Sequence, residues 1–379
     1  MDTNEITQKD TTAELDATVK VSVVMPIYNA VEYLTEAIDC VLGQTLSEIE
    51  LICVDDGSTD GSFELIKERQ ANDKRVRIIT ENNAGPSAAR NKGLARARGE
   101  YVIFLDADDF FEPTLLEKLY GLATKKNLDI AVAKYDLYNN ATEKFAPPIE
   151  SEHGELLDGR RVISKRDNPD KIFQTMTCYV WNKLFKRSFL VEKNIQFHPE
   201  LYVFEDVYFV CAALSLAERV GKENCVLVHH RIYSEQSRAK LFRKYYAQVP
   251  VVYEKLLEFL KSDGMYLPLK RSYLNLSASR CYKIYNLLWQ EVKGEFYDMY
   301  HEKYAEAFGW AKAVPEEIES PEVRDFVANV LLHNHEQYLD RVAKGLAINP
   351  DRIPEMVRKK RKRDRFKGFF ARIFKKKEK

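Results

Sequence analysis

"EYVIFLDADDFFEP", residues 100–113, runs from an apolar stretch directly into acids. Val102, Ile103, Phe104 and Leu105 read as a buried strand, and Asp106, Asp108 and Asp109 follow at once. Like charges repel, and setting them beside a core is costly unless something cationic compensates. A divalent metal carrying a phosphate ligand would do so. Carboxylates spaced as in Asp106-Ala107-Asp108 suit Mg2+ or Mn2+, which keep positions open for substrate phosphates. The same residues also describe a solvated turn at a strand end, so the surrounding sequence has to decide.

Outward from this stretch the pattern repeats. Strand-like runs occupy 21–25, 50–54, 76–80, 101–105 and 129–133. Helical stripes lie between them: Leu34, Ile38, Val41 and Leu42; Phe63, Leu65 and Ile66; Ala88, Ala89, Leu94 and Ala95; Leu115, Leu116, Leu119 and Leu122. Such alternation predicts an α/β fold with a mostly parallel sheet covered on both faces. Ligands of these sheets bind beyond the carboxyl ends of the strands. "YNA", "DDGSTDGS", "ENNAGPS" and "DADD" all fall there.

Each of these loops has a chemical and a plain reading. In "VDDGSTDGS" (54–62), Gly57 allows a sharp turn and Asp60 can cap the next helix. A capping turn needs one acid; a second can accept hydrogen bonds from a nucleobase or ribose. Arg90, inside the helix after Gly85-Pro86, is either a surface residue or a guanidinium for phosphates. Glu205 and Asp206 begin a helix striped by Val207, Val210 and Leu214, so either can serve the helix dipole instead of chemistry. His229 and His230, adjacent on a strand, face opposite sides and do not easily share one metal ion; one can still face a diphosphate.

Totals set the frame. The chain has 379 residues and 45% hydrophobic content, enough for a sizeable core and a second domain or appendage. The six cysteines, at 40, 53, 178, 211, 225 and 281, form no CxxC pair, which argues against a zinc site or a disulfide framework and suits a reducing compartment. Residues 1–18 are polar and acidic, unlike a signal peptide, and no apolar run reaches membrane-spanning length. The sequence shows no internal repeat.

Net charge is zero but unevenly spread. Residues 358–379 hold 13 Lys or Arg against Asp364 and Glu378, a local charge of +11, which leaves −11 on the rest. Phe366, Phe369, Phe370, Ile373 and Phe374 make one apolar helical stripe in this basic tail. Basic runs bind nucleic acid without specificity. A basic amphipathic helix with aromatic residues on its apolar side instead fits an anionic membrane surface. The expectation is membrane docking through 358–379, with no nucleic-acid partner.

"VSVVMPIYNA", "ELICVDDGSTDGS", "NAGPSAARNKGLARARGEYVIFLDADD", "WNKLFKRSFL" and "FEDVYF" occur in this order. Together they resemble bacterial family 2 glycosyltransferases of the GT-A fold, over roughly residues 20–235. The resemblance implies a nucleotide-sugar donor, usually UDP-linked, a Mn2+ or Mg2+ cofactor and inversion at the anomeric carbon. It places Pro26 and Tyr28 beside the nucleobase, Asp56 on the uracil, and Asn82 and Arg90 in the same pocket. Asp106 would approach the ribose or diphosphate, Asp108 would coordinate the metal, and Asp206 would be the catalytic base. Where the family has a "YYR"-like strand, this chain reads His229-His230-Arg231-Ile232-Tyr233.

The expected organisation follows. Residues 1–19 form a disordered N-terminus and 20–238 the GT-A domain, its donor side at 20–135 and acceptor side at 136–238. A helical region spans 239–350, and the basic membrane-binding tail 351–379. Residues 140–178 read as an irregular insertion. Tyr245, Tyr246, Tyr253, Tyr282 and Tyr285 in the helical region either pack it, shape the acceptor site or mediate self-association. The expected protein is cytoplasmic, peripheral to the inner face of the membrane, and builds a surface glycan on a glycan or lipid-linked acceptor. Rival readings are a non-catalytic nucleotide-sugar-binding regulator and a sugar nucleotidyltransferase; the latter commonly carries a Gly-rich phosphate loop near the first strand, which "MPIYNAVEYL" lacks.

Overall fold

The computed structural model describes residues 19–148, 151–158, 161–232, 244–313, 315–336 and 338–339. The stripe at 358–379 and the N-terminal segment 1–18 lie outside them. The chain divides into two compact units. One takes the described residues up to Tyr135 with Val180–Asn194 and Gly221–His230; the other takes Asp136–Tyr179, Ile195–Val220 and the described residues from Arg231 on.

The strands are β1 (Val21–Ile27), β2 (Ile49–Asp55), β3 (Val76–Thr80), β4 (Tyr101–Phe104), β5 (Phe110–Phe111), β6 (Ile130–Asn139), β7 (Lys144–Ala146), β8 (Val162–Ile163), β9 (Lys183–Lys186) and β10 (Val220–Ile232). Eight follow the order β3-β2-β1-β4-β9-β6-β10-β5. β3, β2, β1 and β4 run parallel, whereas β9 pairs antiparallel with both β4 and β6. The sheet is therefore mixed, with its parallel part confined to the four strands that carry the loops of interest. β2 is buried along its whole length and β1 nearly so, as parallel strands covered on both faces must be.

Helices α1 (Val31–Leu42), α2 (Ser62–Asn72), α3 (Pro86–Arg96) and α4 (Leu115–Lys126) connect these strands; α1 and α4 bury most of their predicted stripes, whereas α2 buries only Ile66 of its stripe and α3 leaves Ala95 exposed. α3 lies close on β1: a Cβ at Gly93 would come within 2.3 Å of Val24 Cγ1, so only glycine fits that contact. Asp60 serves two helix starts. Gly61 and not Asp60 is the N-cap of α2, but the Asp60 carboxylate accepts from Ser62 N–H at 3.0 Å in α2 and from Val31 N–H at 3.0 Å in α1.

At the opposite end of the parallel strands a buried ionic node ties the sheet together. Glu50 accepts from Ser22 Oγ at 2.6 Å, Arg98 N–H at 2.7 Å and Arg77 Nη1 at 2.6 Å. From β2, this one carboxylate thus binds Ser22 of β1, Arg77 of β3 and the Arg98 backbone shortly before β4.

In the second unit β7 pairs with the end of β6, and short 3-10 turns at Gly154–Leu157 and Ile172–Gln174 give the predicted insertion local order. α5 (Arg187–Glu192) follows β9 in the first unit, and α6 (Glu205–Leu216) belongs to the second. Helices at Val249–Ser262, Tyr266–Leu287, Gln290–Met299 and Pro321–Leu332 follow. Their core is aromatic: Tyr300 stacks on Trp310 at 5.6 Å, and Tyr285 lies against Phe326 at 5.2 Å. Tyr253 and Tyr285 are buried packing residues.

Candidate active site

The parallel strands β1, β2 and β4 end together, which gathers the predicted loops at one edge of the first unit. Pro26 lies in the last turn of pleat of β1, opposite Val54, and Tyr28 beyond it is 51% exposed. A large aromatic ring left in solvent beside polar loops is suited to stacking on a flat ligand.

Asp56 follows β2 and is buried. Its two carboxylate oxygens accept from Ala84 N–H at 2.6 Å and Gly85 N–H at 2.8 Å. Gly57 takes φ +83° directly after it, a conformation that side chains disfavour. Asp56 thus fixes the loop that carries the exposed Asn82 and leads into α3. The sequence reading supposed a spare carboxylate here; the structure gives it a loop-holding task, with lone pairs remaining on each oxygen.

From α3, buried Arg90 reaches the end of β4, where its Nη2 donates to Asp106 Oδ1 at 2.8 Å. Asp106, Asp108 and Asp109 each offer a carboxylate oxygen, all within 4.8 Å of one another. Asp106 and Asp108 are half-buried and Asp109 is fully enclosed. Three carboxylate oxygens in this space could hold a divalent metal ion.

Asp109 has a partner that the sequence did not disclose. β5 pairs antiparallel with β10, His229 opposite Phe110, and this register sets Asp109 beside His230. His230 Nδ1 lies 3.0 Å from both Asp109 oxygens. The imidazole stacks on buried Trp181 at 4.8 Å, and Tyr135 meets Trp181 edge-on at 4.8 Å. Burial pushes the Asp109 carboxyl up to about 6, against the pull of His230 and with the push of Asp106 and Asp108. Burial would lower His230, but Asp109 outweighs it and holds the imidazole above its ordinary value. His229 faces away, stacked on Phe110 at 4.7 Å and 3.1 Å from Glu112. The two histidines do diverge, as strand geometry requires.

β9 adds a residue that sequence reasoning passed over. Lys183 is wholly buried, and its ammonium donates to Asn182 Oδ1 at 2.8 Å, while Asn182 donates to Ala133 O at 2.8 Å. A lysine between Asn and Leu in an apolar strand was the available signal.

Asp206 belongs to the second unit, in the first turn of α6. The structure separates it from its neighbour: Glu205 is 7% exposed, whereas Asp206 is half-buried and open to solvent. α6 is buried from Val207 through Ser215, so the acids sit at the end of a fixed rod.

A mixed sheet whose parallel strands end in acidic and glycine-containing loops, with a carboxylate cluster after β4, defines a GT-A-type α/β domain. Residues 22–192 match the glycosyl transferase family 2 model. Relatives include the glycosyltransferase EpsJ of Bacillus subtilis, 33% identical over 53% of this chain and 57% of EpsJ, so the match spans little more than half of that relative. A cholesterol galactosyltransferase of Borreliella burgdorferi is 29% identical over 77% of this chain and 88% of its own length. Among solved structures, S. aureus TarS 1-349 in complex with UDP-GlcNAc has a TM-score of 0.68 at 20% identity, covering 86% of this chain and 92% of that one. No helix among the described residues is long and apolar enough to cross a membrane.

Proposed function

We propose that this protein is an inverting glycosyltransferase that moves a sugar from a UDP-sugar to a hydroxyl of a cell-surface glycan or lipid-linked acceptor. The observation that carries the reading is the cluster of Asp106, Asp108 and Asp109 after β4, braced by Arg90, inside a family 2 domain. The UDP complex of a protein with the same fold supports the choice of donor.

In this reading Asp108, with Asp106 beside it, holds Mn2+ or Mg2+. Such an ion supplies charge stabilisation for a departing diphosphate. Pro26, Tyr28, Asp56 and Asn82 form the nucleoside end of the site, with Tyr28 offering its exposed face to the base. Arg90 fixes Asp106 and brings positive charge to the same edge. His230 neutralises Asp109 and leaves the other two acids for the donor. Asp206 takes the proton from the acceptor hydroxyl, a role worth about 10²–10⁴-fold. Displacement with inversion then needs no protein nucleophile. The basic stripe at 358–379 supports a cytoplasmic protein held peripherally at the inner face of the membrane, near a lipid-linked acceptor.

The test is turnover of purified protein with UDP-glucose, UDP-galactose, UDP-GlcNAc and UDP-GalNAc, with and without Mn2+. Metal-dependent release of UDP is expected. Release of pyrophosphate would identify a nucleotidyltransferase, and binding without turnover a regulator.

A further inference from the structure

Phe204, immediately before Glu205 and Asp206, has φ 58° and ψ 21°. The left-handed region is small, and for a bulky residue it is an outlier that needs a reason. Four of the seven non-glycine residues with positive φ among the described residues are asparagines, whose side chains tolerate that conformation; Phe204 has no such help. Its place is equally unusual. It is the N-cap of α6, its side chain supplies no cap bond, and the helix opens with Val207 N–H donating to Phe204 O at 3.0 Å. The backbone turn at 204 therefore sets where α6 begins.

Behind the acids the helix cannot shift. Val207 to Ser215 are buried, and Phe209 stacks on Phe197 at 4.0 Å with the planes 3° apart. Were Phe204 right-handed, α6 would start at least one residue earlier, and the added turn would lie over the acids. The left-handed turn throws the incoming chain off the helix axis. Asp206 stays in the first turn of the helix, half-buried.

We propose that Phe204 is a positioning residue for proton abstraction, acting through its left-handed backbone and not through its ring. This rests on the reading of Asp206 as general base.

The experiment measures kcat and donor KM for Phe204→Gly, Phe204→Ala and Phe204→Val, using whichever of the four UDP-sugars above turns over fastest with Mn2+. Glycine accepts the left-handed turn, so Phe204→Gly should stay within about threefold of wild-type kcat and above Phe204→Ala, although it deletes more atoms. Phe204→Val should lose about tenfold or more in kcat with donor KM unchanged, since small misplacements of a reacting group are costly. A merely packing role gives the opposite order, with alanine at or above glycine. That order, wild-type kcat in Phe204→Val, or a loss confined to donor KM overturns the proposal. If Phe204→Val does not fold, the glycine-to-alanine order decides alone. Asp206→Asn is measured in parallel. Full turnover in that variant removes the base reading whatever the Phe204 order, whereas its collapse beside alanine at or above glycine removes only the role of Phe204.

Discussion

Both carboxylate oxygens of Asp109 lie 3.0 Å from Nδ1 of His230, so the most deeply buried acid of the cluster is paired with an imidazole. This divides labour among three neighbouring acids. Asp109 anchors β5 against β10, while Asp106, held by Arg90, and Asp108 are half-buried. Three ionised carboxylates this close would repel strongly, and the imidazole above its ordinary pKa supplies the charge that holds one of them in place.

Removing that partner should be felt in stability. His230→Ala leaves a buried carboxylate without its hydrogen bond, expected to cost about 1–3 kcal/mol. Urea denaturation of both proteins at neutral pH measures it. An unchanged midpoint would show that the pair holds nothing together.

Asp108→Asn should abolish metal-dependent turnover by removing an anionic oxygen donor. Binding of uridine without metal should persist, because Tyr28, Asp56 and Asn82 are elsewhere. Turnover at saturating Mn2+ and at saturating Mg2+ checks both ions, and wild-type rates under either condition would refute the assignment.

Asp206→Asn should leave donor binding nearly intact and slow transfer by about 10²-fold or more. Glu205→Gln is the matched control. Glu205 is buried, so its substitution should appear in the melting temperature before it appears in the chemical step. Collapse of transfer in Glu205→Gln with survival in Asp206→Asn exchanges the two roles.

The ionic node far from the chemistry should govern acid stability. Burial alone would raise Glu50, but the bonds from Ser22, the Arg98 N–H and Arg77 prevail and lower its pKa. A carboxylate depressed in the folded state stabilises the protein above its unfolded pKa, about 4.3, and loses that contribution as pH falls through the lower folded value. Glu50→Gln should therefore be less stable than wild type at pH 7 by about 1.5–3 kcal/mol. The gap should begin to close below about pH 4.3. Denaturation series at pH 7 and on the acid side check the sign; a gap that widens in acid contradicts it.

Deleting residues 358–379 should spare turnover on a soluble acceptor and move the protein from the membrane fraction to the soluble one. Each basic side chain near an anionic surface contributes about 1 kcal/mol, and burial of the phenylalanines adds to it. Replacing Phe366, Phe369, Phe370 and Phe374 by serine isolates the second contribution. Equal binding of wild type and truncation to anionic vesicles would end the membrane reading and reopen the nucleic-acid one.

The sequence by itself determined the alternation of strands and helices, the edge at which the acidic loops meet and the identity of the metal-binding candidates. It could do so because parallel strands buried on both faces are continuous apolar runs, and loops at their ends must be polar. Local chemistry carried that information at short range: "VIFL" followed by "DADD", and Gly57 after Asp56. It could not assign partners across distance. That His230 neutralises Asp109 depends on β5 pairing with β10, residues separated by more than a hundred positions, and hydrophobic periodicity says nothing about such a register. That α6 buries Glu205 and leaves Asp206 half-buried likewise appears only in the tertiary structure. The antiparallel entry of β9 between β4 and β6, which makes the sheet mixed, follows from packing of the whole unit, and short apolar segments look alike whichever way they run.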